Sequence, residues 1–150
     1  MAGKEARGAA EAEATLFRGR PYILTSPSEE LERLVESFGA RVVMMSAEQH
    51  DVLVAFTSHL PQLISTALAS SIATQPEAAR VAGPAAMDLT RLALSPYEIW
   101  RDIFATNATN IDGALELFIA KLEGLRAELR SPSIEPEFEN AAEAARRLRH

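Results

Sequence analysis

Two short apolar runs, Pro21-Tyr22-Ile23-Leu24-Thr25 and Ala40-Arg41-Val42-Val43-Met44-Met45, are the only segments of the chain that read as β-strands. A two-stranded sheet is marginal in water, so these strands need partners that the remaining sequence does not offer. The helix between them is clearly signalled. Ser26 reads as its N-cap, Pro27 as the first helical position and Glu29 as a residue three further on; Leu31, Leu34, Val35 and Phe38 share one face, and Gly39 ends it. The second run is apolar at nearly every position, which predicts burial on both faces, as in the sheet of an α/β domain. Either another chain completes this sheet or the strands are the end of a larger α/β domain.

Everything after Met45 reads as helix. From Ala47 to about Ser71, Val52, Phe56, Leu60, Leu63 and Ala67 fall within about 80° of one another and form an apolar stripe. Asp51, Ser58 and Gln62 form a polar stripe about 100° away, with His59 between the two. Pro61 has no N–H for the carbonyl of Thr57, which predicts a kink. After breaks at Pro76, Gly83 and Pro84, Ser95-Pro96-Tyr97-Glu98 opens a helix through Trp100, Ile103 and Phe104, with Pro96 at its first position. Ile111, Leu115, Phe118, Leu122, Leu125 and Leu129 then recur at alternating spacings of 4 and 3, the seam of a helix that wants a helical partner. Beyond Ser131-Pro132, a last amphipathic helix carries Phe138, Ala141, Ala145 and Leu148. The fold class read from this pattern is mostly α, with residues 1–46 and 47–150 as separate domains.

Composition narrows the chemistry. Lys and Arg number 15 against 21 Asp and Glu, a net charge of −6 that excludes a basic nucleic-acid binder. There is no cysteine, so disulfides, thiolate nucleophiles and Cys-based metal sites are absent. Of the three histidines, His50 and His59 stand on opposite sides of a straight helix and cannot share an ion, so no metal is expected. No apolar run reaches the roughly 18 residues of a membrane span, and Met1 to Glu13 lack a signal peptide's apolar core; a cytoplasmic protein without membrane contact is the expectation. Neither Gly-x-Gly-x-x-Gly nor a P-loop occurs, so no cofactor site is recognisable. Ser58 and His59, as helix neighbours, point about 100° apart and cannot form a nucleophilic pair.

Four features remain. Asp51, Ser58 and Gln62 could line a polar cleft with His59 at its edge, or form a solvated face. His50 adjoins Asp51 at the start of the long helix. Arg91 lies among apolar residues, a setting for a half-buried guanidinium that grips a ligand carboxylate or pairs internally. Trp100, the single tryptophan, reads as core or interface.

Glu48-Gln49-His50-Asp51, Ser58-His59-Leu60-Pro61, Asp88-Leu89-Thr90-Arg91-Leu92-Ala93 and Trp100-Arg101-Asp102-Ile103 resemble, in order and spacing, the C-terminal half of the prephenate dehydrogenase family. Met1-Ala2-Gly3-Lys4-Glu5 looks like the stretch after that family's His-Pro pair, and Leu16-Phe17-Arg18-Gly19 like its Leu-Phe-x-Gly. The resemblance implies oxidative decarboxylation of prephenate or arogenate with NAD or NADP on the way to tyrosine, a homodimer built through the helical domain, and tyrosine as a possible inhibitor. The two strands would be the remnant of a Rossmann-like nucleotide-binding domain. Arg91 would bind a substrate carboxylate, His59, Gln62 and Ser58 would line the pocket, His50 and Asp51 would stand at its entrance, and Trp100 would reach the partner subunit's pocket. No catalytic or cofactor-binding residue falls in this chain, because the family's glycine-rich loop and catalytic histidine precede Met1, so the chain alone is expected to be inactive. Gln62 stands where the family often has a second histidine, and Gly83-Pro84-Ala85-Ala86-Met87 replaces a commoner stretch with Phe and Arg. The competing reading is a stand-alone, non-catalytic helical dimer that binds an aromatic acid or serves as an assembly module.

Overall fold

The computed structural model describes residues 12–149, so the resemblance at Met1-Ala2-Gly3-Lys4-Glu5 lies outside the described residues. Strand β1 (Pro21–Leu24) pairs in parallel with β2 (Arg41–Met44), Pro21 opposite Arg41 and Leu24 opposite Met44. The connection between them is α1 (Glu29–Ser37), which packs on β2 and buries Val35 completely. Its N-cap is Ser28 rather than Ser26. Only Ser28 has the extended backbone (φ −157°, ψ 101°) that brings its Oγ to the N–H of Leu31, at 3.3 Å, so Pro27 stands ahead of the helix. Gly39 turns the chain back into β2 with φ +77°, and its carbonyl accepts from the Gly19 N–H at 2.7 Å. The two-sided burial expected of β2 is not met among the described residues: Val42 and Val43 are half-buried and Met44 is exposed, because the sheet they form has two strands.

The chain forms two compact units that divide between Ser58 and His59. In the first, α2 (Ala47–Val54) opens with a capping box: Ser46 Oγ accepts from the Gln49 N–H at 3.2 Å, and Gln49 Oε1 accepts from the Ser46 N–H at 3.0 Å. A π-helical turn, Ala55–His59, follows directly. It lies just ahead of Pro61, where the sequence predicted a kink, and such a turn is one way for a helix to absorb a missing N–H.

The second unit begins with α3 (Leu60–Ala73), which packs against α4 (Pro84–Thr90) and a 3₁₀ turn, Arg91–Leu94. Helix α5 (Tyr97–Thr106) follows, with Pro96 as its extended N-cap rather than its first residue. Ser95 makes no cap bond either; its Oγ accepts from the indole Nε1 of Trp100 at 2.9 Å. The long α6 (Ala108–Glu128) packs on α5 and α3, and α7 (Glu135–Arg147) is tied to it by Lys121 and Glu137 at 2.9 Å.

The apolar and polar stripes read from the sequence are not separated into a buried and an exposed face. Val52, Phe56 and Ala67 of the apolar stripe are exposed, leaving Leu60 as its one fully buried member. On the polar side Gln62 is buried, as is Ser65 one turn on. The reason is that this face of α3 meets the 3₁₀ turn Arg91–Leu94, whose Leu92 carbonyl and Ala93 N–H need hydrogen-bond partners. The seam of α6 is partly covered: Ile111 is buried, Leu115, Phe118 and Leu125 are half-buried, and Leu122 and Leu129 are exposed. The apolar face of α7 is open at Phe138 and Leu148.

The expectation that no apolar run is long enough for a membrane span does not hold for the helix that contains His59. The helical run Ala47–Ala73 spans 27 residues and is long and apolar enough to cross a membrane. Its buried His59, Gln62 and Ser65, however, are hydrogen-bonded to other parts of the chain, the pattern of a core helix.

Candidate functional site

His59 is the best-organised candidate residue. It is only 8% exposed, and its Nδ1 lies 3.3 Å from the side-chain Nδ2 of Asn107. Asn107 sits at the junction of α5 and α6, where its N–H still donates to Ile103 while its carbonyl already accepts from Ile111. Its Oδ1 accepts from Asn110 Nδ2 at 2.7 Å, which leaves the amide nitrogen to face the imidazole. With Nδ1 accepting, the neutral ring carries its proton on Nε2, so Nε2 becomes the donor nitrogen. Trp100 presses edge-on against the imidazole, with centroids 6.2 Å apart and planes at 84°, and is itself stacked on Phe104 at 5.5 Å. The ring is thus held by a hydrogen bond on one side and an aromatic edge on another.

Gln62 does not line an open cleft. It is 4% exposed, its Nε2 donates to the Leu92 carbonyl at 2.9 Å and to Thr66 Oγ1 at 3.3 Å, and its Oε1 is buried without a partner among the described residues. Arg91, expected to be half-buried, is exposed at the start of the 3₁₀ turn.

His50, Asp51 and Ser58 belong to the first unit. There His50 Nδ1 and Asp51 Oδ1 lie 2.9 Å apart and both side chains are partly exposed, while Ser58 is half-buried. Beside them Glu48 is held below the usual carboxylate range, chiefly by the Ser46 hydroxyl and then by its own backbone N–H.

The second unit therefore brings together His59 and Trp100, and places Gln62 against the turn that begins at Arg91. Sequence reading missed Asn107 and Ser65. A polar residue at the break between two helices was the available signal for Asn107; Ser65, three residues after Gln62, looked like any small helix residue. Chemically, the second unit offers an oriented imidazole beside an aromatic ring and, separately, an exposed cation at Arg91, groups that suit recognition of an anionic ring compound. Among the described residues no three His, Asp or Glu side chains gather to hold a metal ion. The connection from β1 to α1, Thr25-Ser26-Pro27-Ser28, contains no glycine, so it does not build the glycine-rich turn that receives a dinucleotide pyrophosphate.

A helical unit bearing such a group, preceded by a parallel strand-helix-strand unit, has the plan of a dehydrogenase's dimerisation domain joined to the end of its nucleotide-binding sheet. Residues 46–143 match the family "Prephenate dehydrogenase, dimerization domain". The chain belongs to that family. It is 34% identical over 143 residues to the cyclohexadienyl dehydrogenase of Zymomonas mobilis, covering 87% of this chain and 49% of that protein. Among solved structures, the prephenate dehydrogenase of Aquifex aeolicus in complex with hydroxyphenyl propionate and NAD+ superposes with a TM-score of 0.80 at 30% identity, over 97% of this chain and 55% of that one. Arogenate dehydrogenase of Synechocystis shares the fold with a TM-score of 0.81 at 24% identity, over 98% of this chain and 59% of that one. The chain thus spans about half the length of the relatives it matches.

Proposed function

We propose that residues 1–150 form the dimer-building, substrate-facing portion of a cytoplasmic dehydrogenase that decarboxylates prephenate or arogenate oxidatively with NAD or NADP. The observation that carries this reading is the buried His59, oriented by Asn107 and flanked by Trp100, in a chain whose Aquifex relative was solved with a hydroxyphenyl acid and NAD+. The nicotinamide cofactor accepts the hydride when bound, and it is held elsewhere in the enzyme, since the β1–α1 connection here has no phosphate-binding turn. The chain's own work is binding. Arg91 supplies a cation for one substrate carboxylate, with the bidentate geometry that suits it. His59, nearly dry at 8% exposure, presents its imidazole as a polar member of the substrate-binding set. By the family resemblance Ser58 is a further substrate-binding residue and Trp100 a dimer contact, while His50 and Asp51 act from the first unit. The half-covered seam of α6 supports a homodimer through Leu122 and Leu129.

In the parent enzyme, Arg91→Ala is expected to raise the KM for prephenate or arogenate at least about tenfold, the scale of one lost charge-assisted hydrogen bond; an unchanged KM overturns the carboxylate role. Residues 1–150 alone are expected to bind as a dimer and to produce no NADH from prephenate and NAD+. NADH formation by the isolated chain would refute its dependence on an upstream cofactor site.

A further inference from the structure

Gln62 and Ser65 lie one turn apart on α3, 4% and 1% exposed, and both are spent on the same object. Gln62 Nε2 donates to the carbonyl of Leu92 at 2.9 Å, and Ser65 Oγ accepts from the N–H of Ala93 at 3.0 Å. That carbonyl and that N–H are the two polar edges of a single peptide group, the one joining Leu92 to Ala93. A planar peptide held at both edges cannot rotate, so ψ of Leu92 and φ of Ala93 are set by α3. The orientation of the Gln62 amide is itself determined. Its second N–H goes to Thr66 Oγ1 at 3.3 Å, and the Thr66 hydroxyl donates in turn to the Gln62 carbonyl at 2.9 Å. The reverse assignment would set the Gln62 oxygen against the Leu92 oxygen, two acceptors with no proton between them.

The gripped peptide lies inside the four-residue 3₁₀ turn that Arg91 begins. Such a turn is short and its hydrogen bonds are poorly aligned, so it has little stiffness of its own. We propose that Gln62 and Ser65 are positioning residues: by clamping the Leu92–Ala93 peptide they fix the direction in which Arg91 leaves the turn. The inference rests on the reading of Arg91 as the carboxylate anchor. It also accounts for two buried polar side chains on a face where apolar packing would cost less, since a site depends on groups whose supports are themselves locked.

The test is a double-mutant cycle in the parent enzyme, with the dissociation constant of hydroxyphenyl propionate measured calorimetrically at saturating NAD+. Ser65→Ala removes the acceptor with the smallest change of volume, and Gln62→Met removes the donor at similar volume, so either can carry the test if the other folds poorly. Each is expected to weaken binding by about fivefold to tenfold, roughly the value of one net hydrogen bond. In an Arg91→Ala background the same substitutions should change the dissociation constant by less than about twofold, because the group they aim is gone. Equal losses with and without Arg91 would overturn the proposal and assign the pair to general stability. So would undiminished binding in both single variants while Arg91→Ala alone binds weakly. If Arg91→Ala itself binds normally, the carboxylate reading fails first and this inference falls with it, a result distinguishable from the other two.

Discussion

The imidazole Nδ1 of His59 and the carboxamide Nδ2 of Asn107 lie 3.3 Å apart in the protein interior, joined across 48 residues of sequence. The bond links the last residue of the π-helical turn to the junction of α5 and α6. It does so at a point where Asn107 is also fixed by Asn110 and by its own backbone bonds. The orientation of the histidine is therefore a property of helix packing, and it can be changed without touching the histidine.

Asn107→Ala removes the donor and leaves a buried ring nitrogen without it. The expected loss of stability is about 1–3 kcal/mol, the penalty of an unsatisfied buried polar group, read as a lower urea midpoint at unchanged slope. Unaltered stability would show that the ring does not depend on Asn107. The His59 ring nitrogens should report the change directly: the tautomer preference seen by nitrogen NMR is expected to weaken in the variant.

Ser46 has two jobs at the start of α2, capping the helix and holding Glu48 ionised. Ser46→Ala should cost about 1 kcal/mol through the lost cap. The Glu48 carboxyl, titrated by NMR, is expected to have its midpoint below 4.5 in the native protein and to move up toward 4.5 in the variant. A group whose folded pKa is depressed stabilises the fold above its unfolded pKa and loses that contribution as the pH falls through the folded value. The Ser46–Glu48 contribution should accordingly vanish only in acid, below pH 4.5. A Glu48 midpoint at or above that value in the native chain would contradict the arrangement.

Leu122 and Leu129 project apolar surface from the α6 seam, Leu129 with 70% of its surface exposed. Sedimentation velocity of residues 1–150 should show a dimer at micromolar concentration, and Leu122→Glu with Leu129→Glu should convert it to monomer by burying unpaired charge at the seam. A dimer that survives both substitutions would place the interface elsewhere.

Gly39 holds φ at +77° between α1 and β2. Gly39→Ala should destabilise the strand-helix-strand unit by about 1–2 kcal/mol, the cost of a Cβ in the left-handed region, and Gly39→Asn by less, since asparagine tolerates that region better. Equal losses for the two would point to crowding against Arg18, whose Cγ would stand 3.4 Å from the new Cβ, in place of backbone strain.

Much of this architecture is legible in local patterns. The strand-helix-strand start, the helix opening at residue 47, the break before Tyr97 and the extent of α6 all follow from signals that act within a few residues: runs of β-branched side chains, prolines, caps and apolar periodicity. The same locality explains the small errors. Ser26 and Ser28 both precede helix formers, and which of them caps depends on backbone angles that a letter string does not display. The motifs around His50, His59, Arg91 and Trp100 were sufficient to place the chain in its family, because order and spacing along the chain survive even where packing is invisible.

By itself, then, the sequence determined the elements, their order and the family, since these depend on interactions between near neighbours and on the preserved order of motifs. Which face of α3 is buried was decided by tertiary structure alone. Periodicity ranks faces by apolarity, and here polar Gln62 and Ser65 are buried as well as Leu60 because a 3₁₀ turn about 30 residues further along takes a donor from Gln62 and an acceptor from Ser65. The locking of His59 by Asn107 and the outward exposure of Arg91 belong to the same class. Each is a consequence of where distant backbone groups come to lie, and a hydrogen bond's short reach makes that a matter of ångströms that no spacing along the chain can specify.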